Sequence, residues 1–444
     1  MTSTQRVSLI KTYSGSFAPL KLPNFRTYLG GQAISLMGTW MQVTAQGWVV
    51  WQITHSEAAL GTVALLAGLP LFVLSPWTGV IADRFDRRKL LIGTQAVMMT
   101  LAFILAFLVQ TNLARIWHIY IIALLAGVAT ALDFPTQQTF LGDLSGMEQV
   151  RRATTLNIMM VQLARMLGPV LAGVVLTTLG AAMAFWINGL SFIAVIISLL
   201  VVRSTQVVTI PQGKKSGSFG EALNYVRGQP RMVDLMIFAT LVTFFGLATI
   251  NILPAVADTV LHGDAGTFGL LLGASGAGAL VSTIVLLPLS QAAKRIGLIV
   301  SGAAIWMGVF FALLSTSSLL PLSMAAMFCV SLGGPLVLTT AMGVLQQLAP
   351  RDMRARIISL FTMVSFGLQP IASQVIGYSA ETFGTQRAIL YNAIGLMVGA
   401  GLMLALRPGL RAWVLEPLTE AAAPPTAPMV MERARVEMEI AAVD

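Results

Sequence analysis

The chain is long, apolar and basic: it has 444 residues, of which 56% are hydrophobic and only 10% are charged. Soluble domains carry about 25% charged residues, so this composition excludes an ordinary soluble protein. The single cysteine, Cys329, excludes disulfides and thiolate metal sites. The net charge of +9 fits a nucleic acid or a membrane as partner, and the position of the charges decides between the two.

Apolar segments of membrane-spanning length follow one another along the chain. About 20 residues of helix cross the hydrocarbon core of a bilayer. The sequence therefore predicts an all-α polytopic membrane protein with twelve transmembrane helices. In chain order these are residues 26–52, 58–82, 89–110, 117–140, 153–178, 181–202, 232–257, 266–290, 296–316, 319–347, 356–380 and 386–407.

The basic residues lie almost entirely on one side of these predicted helices. Of 27 Lys and Arg, 24 fall in the termini, the even-numbered loops and the segment between helices 6 and 7, against Arg115 and Arg387 on the other side. Positive charge marks the cytoplasmic side. We therefore expect both termini in the cytoplasm, a multi-pass protein of the cytoplasmic (inner) membrane, and no nucleic-acid partner.

Helix 1 carries a polar stripe. Gln32, Ser35, Thr39, Gln42 and Gln46 recur every three or four residues, which puts them on one helical face. Such a face lines either a polar cavity or a seam with another helix, and three bulky glutamines favour the cavity. Helix 11 repeats the pattern, and helix 7 has a thinner version of it. The predicted substrate-cavity residues are Gln32, Thr39, Trp40, Gln42, Gln46, Gln137, Thr243, Asn251, Thr362 and Gln369.

The loop after helix 2 is densely charged: six of the thirteen residues from Gly79 to Leu91 are ionisable. It resembles the signature of the major facilitator superfamily of transporters, glycine-(x3)-aspartate-arginine-x-glycine-arginine-arginine/lysine, with Asp86 at the second glycine. The matching residues are Gly79, Asp83, Arg84, Arg87 and Arg88.

This motif predicts a cytoplasmic gate. Asp83 is expected to face the N-terminus of helix 11, where the helix dipole and Arg354 or Arg356 attract a carboxylate. Gly79, one turn earlier, would let helices 2 and 11 touch. The alternative is a charge cluster that only fixes topology.

Two charges lie deep in the predicted membrane, Asp133 in helix 4 and Arg165 in helix 5. Their positions along the helices differ in depth by roughly 7 Å, which an arginine stem spans. We therefore predict an Asp133–Arg165 ion pair that faces the cavity and couples transport to protons. A purely structural buried pair is the alternative.

Arg165 opens a segment that resembles the glycine-proline motif of superfamily exporters. Its members are Gly168, Pro169 and Gly173. Proline frees backbone groups and glycine permits close helix packing. In that group of exporters the motif is associated with antiport, which the resemblance implies here.

The two sets of six helices look like one repeat. Gly61 and Gly68 of helix 2 align with Gly269 and Gly276 of helix 8, at an offset of roughly 206 residues. Parallel repeats place a substrate site near mid-membrane between the halves. The predicted domains are a cytoplasmic N-terminal segment 1–25, a six-helix bundle 26–202, a linker 203–231 with a short amphipathic helix at 218–227, a second bundle 232–407 and a disordered tail 408–444.

Further motifs resemble the branch of enterobactin exporters and macrolide-type drug efflux proteins. They include Gly38-Thr39-Trp40-Met41-Gln42 in helix 1 and Asp133-Phe134-Pro135-Thr136-Gln137-Gln138 in helix 4. Asp86 is usual in this branch. The resemblance also implies an arginine at the position of Gln137, so the cation that the branch has there, near Asp133, is absent here.

The resemblance implies a proton antiporter that exports hydrophobic or amphipathic small molecules, drug-like or siderophore-like. We expect no enzyme activity, no cofactor and no metal, with the substrate, protons and the lipid bilayer as partners of a monomer. Uptake is the alternative direction, and a polytopic membrane protein without transport is the alternative class. ATP-driven transport is excluded because the sequence has no Walker motif.

Overall fold

A computed structural model of the protein describes residues 18–146, 149–202, 219–292, 295–350, 353–411 and 413. Within these ranges the side chains at positions 75–77, 79–84, 151, 219, 291–292, 355 and 366 are not described. The twelve predicted helices are confirmed, with ends that shift by five residues or fewer. They are α1 Pro23–Thr54, α2 Glu57–Arg84, α3 Arg87–Gln110, α4 Ile116–Ser145, α5 Val150–Thr178, α6 Ala181–Val201, α7 Pro230–Val260, α8 Ala265–Val281 continued to Leu287–Ala292, α9 Ile296–Thr316, α10 Leu320–Leu348, α11 Arg354–Phe383 and α12 Thr385–Leu406.

Eleven of the described helices are both long and apolar enough to cross a membrane, and α1 is the exception. Its 32 residues extend for about 48 Å, so length is not the reason. The polar stripe of α1 lowers its mean hydropathy instead. Such a helix is stable in a bilayer only when neighbouring helices or water cover the stripe.

The helices pack as two bundles joined along two seams. In the first bundle α1 and α3 pack against α6, and α2 packs against α4; in the second, α9 packs against α10 and α12, and α8 against α10. Contacts between the bundles follow α5 with α8 and α2 with α11. We call these two lines of contact the α5–α8 seam and the α2–α11 seam.

The backbone shows the repeat that the sequence predicts. Gly180 directly precedes α6 with a φ of 83°, and Gly384 directly precedes α12 with a φ of 91°. This left-handed region suits glycine, so both halves make the same tight turn. Prolines also lie inside corresponding helices, Pro135 of α4 with Pro335 of α10 and Pro169 of α5 with Pro370 of α11.

Two helices of the second bundle are irregular. α7 contains π turns at Val242–Gly246 and Val256–Val260, and between them a 3-10 turn at Leu247–Ile252. α8 contains a π turn at Ser282–Leu286. Single π turns inside α-helices are frequent at functional sites, since they leave local backbone groups free to rearrange.

The segments outside the bundles partly match the prediction. A linker helix at Phe219–Arg227 confirms the predicted helix, and its Ala222 and Val226 are buried against the protein. The start of the tail differs from the expected disorder: Pro408–Arg411 is helical, and Trp413 is 2% exposed beneath Arg231. Apolar burial explains this order. The predictions for residues 1–17, 203–218 and 414–444 lie outside the described residues.

Candidate functional site

Glycine brings the two bundles into close contact along the α5–α8 seam. On α8, Gly269 and Gly276 face the backbone of α5, so that a Cβ atom at either position would meet backbone atoms of Pro169 or Met166. On α5, Gly173 lies against Gly266. Small residues at this spacing permit close helix approach in membranes. Gly173 of the predicted helix 5 motif therefore packs between the bundles.

The α2–α11 seam also uses glycine, and it ends in polar contacts. Gly61 faces the backbone of Ser373, and Gly68 faces the ring of Pro370. At the end that the charges predict to be external, the Glu57 carboxylate at the start of α2 accepts a hydrogen bond of 2.7 Å from the Thr385 hydroxyl at the start of α12, next to the end of α11. Glu57 is 8% exposed, which makes this a buried contact between the bundles.

Two more contacts join the bundles at the same end. The Glu381 carboxylate accepts hydrogen bonds from the Ser56 hydroxyl at 2.6 Å and the Ala58 backbone N–H at 3.0 Å. The Trp51 indole N–H donates to Asp258 over 2.8 Å, which links α1 to α7. Together these contacts join the two bundles at the predicted external end of the protein.

Asp133 lies in a network of neutral hydrogen-bond donors. Its Oδ1 accepts from the Thr94 hydroxyl at 2.6 Å and the Gln95 amide at 2.9 Å, both on α3. Its Oδ2 accepts from the Gln137 amide at 3.1 Å, one turn along α4. Asp133 is 7% exposed. Gln137 thus supplies a donor without a charge.

The predicted Asp133–Arg165 ion pair is wrong for this conformation. Among the described residues the ion pairs are Arg87–Asp143, Arg356–Glu221 and Arg407–Asp234. The guanidinium carbon of Arg165 instead lies 5.6 Å from the ring centroid of Trp40 on α1. The pair was predicted only from the similar depth of the two residues in the membrane. In the structure, donors on α3 hydrogen-bond to the Asp133 carboxylate instead.

Trp40 reaches Arg165 because α5 has no side chain at Gly168. A Cβ atom at Gly168 would lie against the Trp40 Cβ, so glycine lets α1 approach α5 there. Gly168 of the predicted motif therefore serves the contact between α1 and α5. Pro169 lies one residue further, and its carbonyl faces Gly269 of α8.

The polar stripe of α1 divides between two environments. Gln42 accepts a hydrogen bond of 2.7 Å from Asn188 of α6, and Ser35 is buried, so this part forms a seam as in the alternative interpretation. Gln32 is 3% exposed, and its side-chain oxygen has no hydrogen-bond partner among the described residues. Thr39, whose hydroxyl bonds to the Ser35 carbonyl, and Gln46 are half-buried.

The cavity residues predicted in the second bundle also separate. Thr243 is fully buried in the first π turn of α7, which does not fit a cavity wall. Asn251 donates a hydrogen bond of 2.7 Å to Ser373, whose own hydroxyl bonds to the Gln369 carbonyl. Thr362 is exposed, and its hydroxyl bonds within α11.

The predicted gate residues fall into described and undescribed sets. Arg87 pairs with Asp143 of α4 at 2.8 Å, and Arg88 donates to the carbonyls of Leu199 and Leu200 at the end of α6. Both therefore tie α3 to neighbours in the first bundle. The side chains at the predicted positions Gly79, Asp83 and Arg84 lie outside the described part of the structure.

The two arginines proposed as partners of Asp83 have other contacts. Arg356 pairs with Glu221 of the linker helix at 3.0 Å, and Arg354 lies 3.5 Å from the carbonyl of Ala349. The linker helix is thus attached to the start of α11. Their proposed contact with Asp83 remains a prediction.

Sequence reasoning missed several residues of these networks. Thr94 and Gln95 are ordinary polar residues in an apolar helix, and only their position relative to Asp133 makes them donors. Tyr28 of α1 is 2% exposed and packs edge-on against Phe140 of α4, with 5.3 Å between the ring centroids. The sequence places three acidic residues, Glu57, Asp258 and Glu381, at the predicted external ends of helices. It contains no pattern that predicts which residues they bond to.

Comparison with known proteins gives the family. The family described as transmembrane secretion effectors, within the major facilitator superfamily, matches residues 14–440. The chain belongs to this family.

Relatives extend over most of the chain. The staphyloferrin A transporter of Staphylococcus aureus is 25% identical over 367 residues, which cover 81% of this chain and 90% of that protein. The enterobactin exporter EntS of Citrobacter koseri is 25% identical over 409 residues, covering 90% and 93%. This family member is therefore similar to siderophore transporters along nearly its whole length.

Solved structures show the same fold at lower identity. A bacterial homolog of the human lysosomal transporter Spinster, in its inward-facing and unoccupied conformation, matches with a TM-score of 0.67 and 13% identity over 89% of this chain and 99% of that one. The nucleoside transporter NupG matches with a TM-score of 0.66 and 15% identity, covering 86% and 99%. The predicted major facilitator fold is confirmed.

Proposed function

We propose that this protein is a secondary active exporter of amphipathic or hydrophobic small molecules that works by proton antiport and alternating access. The observation that supports export as the direction of transport is the similarity to enterobactin exporters over 90% of the chain. Its predicted place is the cytoplasmic membrane, with both termini in the cytoplasm.

The Asp133 network supports the coupling to protons. A carboxylate in a membrane helix is costly when it is charged and unpaired. Thr94, Gln95 and Gln137 supply neutral donors, and no cation lies within ion-pair distance among the described residues. Such a carboxylate changes its charge when its hydration changes, which is what a proton-coupling group requires.

The contacts between the bundles support alternating access. The described conformation joins the bundles at the predicted external end through Glu57, Glu381 and Asp258. In an exporter this state is the one that accepts substrate from the cytoplasm. The opposite state must break these contacts and form others at the cytoplasmic end, where Asp83 is proposed to act.

The test uses inside-out membrane vesicles with an imposed pH gradient, acid inside. Radiolabelled enterobactin, staphyloferrin A and erythromycin serve as probes. We expect at least one of them to accumulate in the vesicles only while the gradient lasts. The proposal would be contradicted if all three probes accumulated equally with and without the pH gradient, or if the gradient drove the probes out of the vesicles.

A matched variant tests the coupling group. In Asp133→Asn we expect gradient-driven accumulation to fall at least about tenfold, whereas exchange of labelled for unlabelled probe persists, since exchange needs no net proton movement. Gln42→Ala, at a polar contact of α1 with α6, serves as the control for a lost polar group. Unchanged accumulation in Asp133→Asn would show that another group carries the proton.

A further inference from the structure

Arg165 is a half-buried cation near the middle of α5. Among the described residues, no carboxylate lies within ion-pair distance of its guanidinium group. The guanidinium carbon lies over the indole ring of Trp40, 5.6 Å from the ring centroid. A guanidinium group has five N–H donors, and an aromatic ring attracts the charge without accepting those hydrogen bonds as an oxygen would.

The other deep charge does not neutralise Arg165. Asp133 accepts its hydrogen bonds from Thr94, Gln95 and Gln137 instead. A positive charge at membrane depth without an anion is tolerated only where water or a ligand reaches it. The guanidinium donors of Arg165 are therefore available to something that is not part of the protein.

Arg165 also lies where the two bundles meet. Gly276 of α8 approaches the backbone of Arg165 and Met166 so closely that a Cβ atom there would contact both residues. In proteins built from parallel repeats, substrate sites lie at this interface near the bilayer midplane. In the second bundle, Gln369 of α11 lies directly before Pro370 and carries no charge. Of these two positions, the one in the first bundle carries a positive charge and the one in the second bundle carries none.

We propose that Arg165 selects organic anions as the transported class, with the carboxylate of an amphipathic molecule as its ligand. An oxygen pair of that kind accepts two parallel N–H bonds from one guanidinium group. Trp40, held against α5 by the absence of a side chain at Gly168, offers an apolar surface beside the charge. The inference rests on the proposed function and adds the charge of the substrate.

Two fluorescent probes of nearly equal size test the proposal. Dansyl-phenylalanine carries one carboxylate, and dansyl-phenylalaninamide carries none. Each is titrated into the purified protein in phosphatidylcholine nanodiscs, with dansyl emission excited through tryptophan and the signal of empty nanodiscs subtracted. We expect the wild-type protein to bind the acid at least about tenfold more tightly than the amide, the range of a charge-assisted hydrogen bond.

Three variants separate selection from folding. Arg165→Gln should bring the ratio of the two affinities close to one and leave binding of the amide unchanged. Arg165→Lys keeps the charge and should keep a reduced preference for the acid. Arg387→Gln removes an exposed arginine from the predicted external side and should keep the wild-type ratio. If the role of Arg165 were purely structural, its loss would weaken the binding of both probes equally and leave the ratio of the two affinities unchanged.

Equal affinity of the wild-type protein for both probes, or absence of saturable binding of the acid, would overturn the proposal, as would an unchanged ratio in Arg165→Gln. Where Arg165→Gln binds neither probe, the lysine variant decides: a preserved preference supports the proposal and equal affinities reject it. Because this measurement needs no gradient, it is separate from the test of export. Loss of gradient-driven transport with the ratio intact would instead reject proton-coupled export.

Discussion

The two seams between the bundles are similar in backbone and different in chemistry. In both, glycines on one helix face the partner's backbone or a proline ring: Gly269 and Gly276 along α8, Gly61 and Gly68 along α2. Among the described residues, buried and charge-assisted hydrogen bonds lie at the end of the α2–α11 seam, where Glu57 bonds to Thr385 of α12 and Glu381 bonds to Ser56. The polar side-chain bond recorded across the α5–α8 seam is a long one, 3.4 Å between Gln162 and Thr283.

This difference indicates a division of labour during alternating access. Contacts between glycines and backbone are stabilised by close packing and leave no charged group unpaired when helices separate. Charged hydrogen bonds at a protein surface are exchanged for bonds to water when the end opens. We infer that shape keeps the α5–α8 seam together, and that polar contacts hold the predicted external end of the α2–α11 seam closed.

The largest effect is expected from a side chain inserted into the α5–α8 seam. Valine at Gly276 would meet the α5 backbone at Met166 and Arg165, which cannot move aside as a flexible side chain does. Overpacking of this kind costs about 3 kcal/mol. We therefore expect Gly276→Val to depopulate the described conformation by about a hundredfold.

Spin labels at Gln52 and Gln386 measure this effect, in a Cys329→Ser background. Both positions are exposed, at the predicted external ends of α1 and α12. The interlabel distance should lengthen in Gly276→Val. Gly302→Val is the control, because a Cβ atom at Gly302 has no neighbour within 4 Å while the helix-propensity cost is the same. Equal distance distributions in both variants would show that the seam is loosely packed.

Most of the fold could be predicted from the sequence. Membrane-length apolar runs and the positions of Lys and Arg are properties of single segments, so they identified the twelve helices. The repeat of Gly61 and Gly68 as Gly269 and Gly276 also anticipated seams on equivalent helices. The missed features are local: the π turns of α7 and α8 do not follow from apolar periodicity, which is similar for α- and π-turns.

The candidate site was less predictable, because a site depends on partners. Depth along a helix follows from residue number, but the rotation of α4 relative to α5 does not, so Asp133 and Arg165 were paired on depth alone. Thr94 and Gln95 supplied shorter contacts to the carboxylate than a distant arginine could. Likewise, the periodicity of α1 predicted that Gln42 lies on the polar face of the helix. It did not predict that Asn188 of α6 packs against that face and donates a hydrogen bond to Gln42.

A smaller effect is expected at the polar end of the α2–α11 seam. Thr385→Val keeps the shape of the side chain and removes the donor, which leaves the buried Glu57 carboxylate without that bond. The cost of such a loss is about 1.5 kcal/mol. The distance between labels at Gln52 and Gln386 should therefore shift toward the open state by about tenfold in population.

Thr382→Val provides the control for this change. Its hydroxyl is exposed and bonds only to the carbonyl of Tyr378 within α11, so its loss should leave the distance distribution unchanged. The double variant Glu57→Gln with Thr385→Val should cost less than the sum of the two single changes, since both remove one contact. Additive effects would show that Glu57 and Thr385 act independently of each other.

The smallest effect is expected at the polar contact of the α5–α8 seam. The Gln162 amide and the Thr283 hydroxyl are 3.4 Å apart and half-buried, and a hydrogen bond of that length is weak. Gln162→Ala should cost less than about 0.5 kcal/mol and leave the interlabel distances unchanged. Thr283→Ala should behave alike, because it removes the other partner. If either change opened the protein as far as Thr385→Val does, polar contacts would sustain both seams, and the distinction between a packed seam and a hydrogen-bonded one would fail.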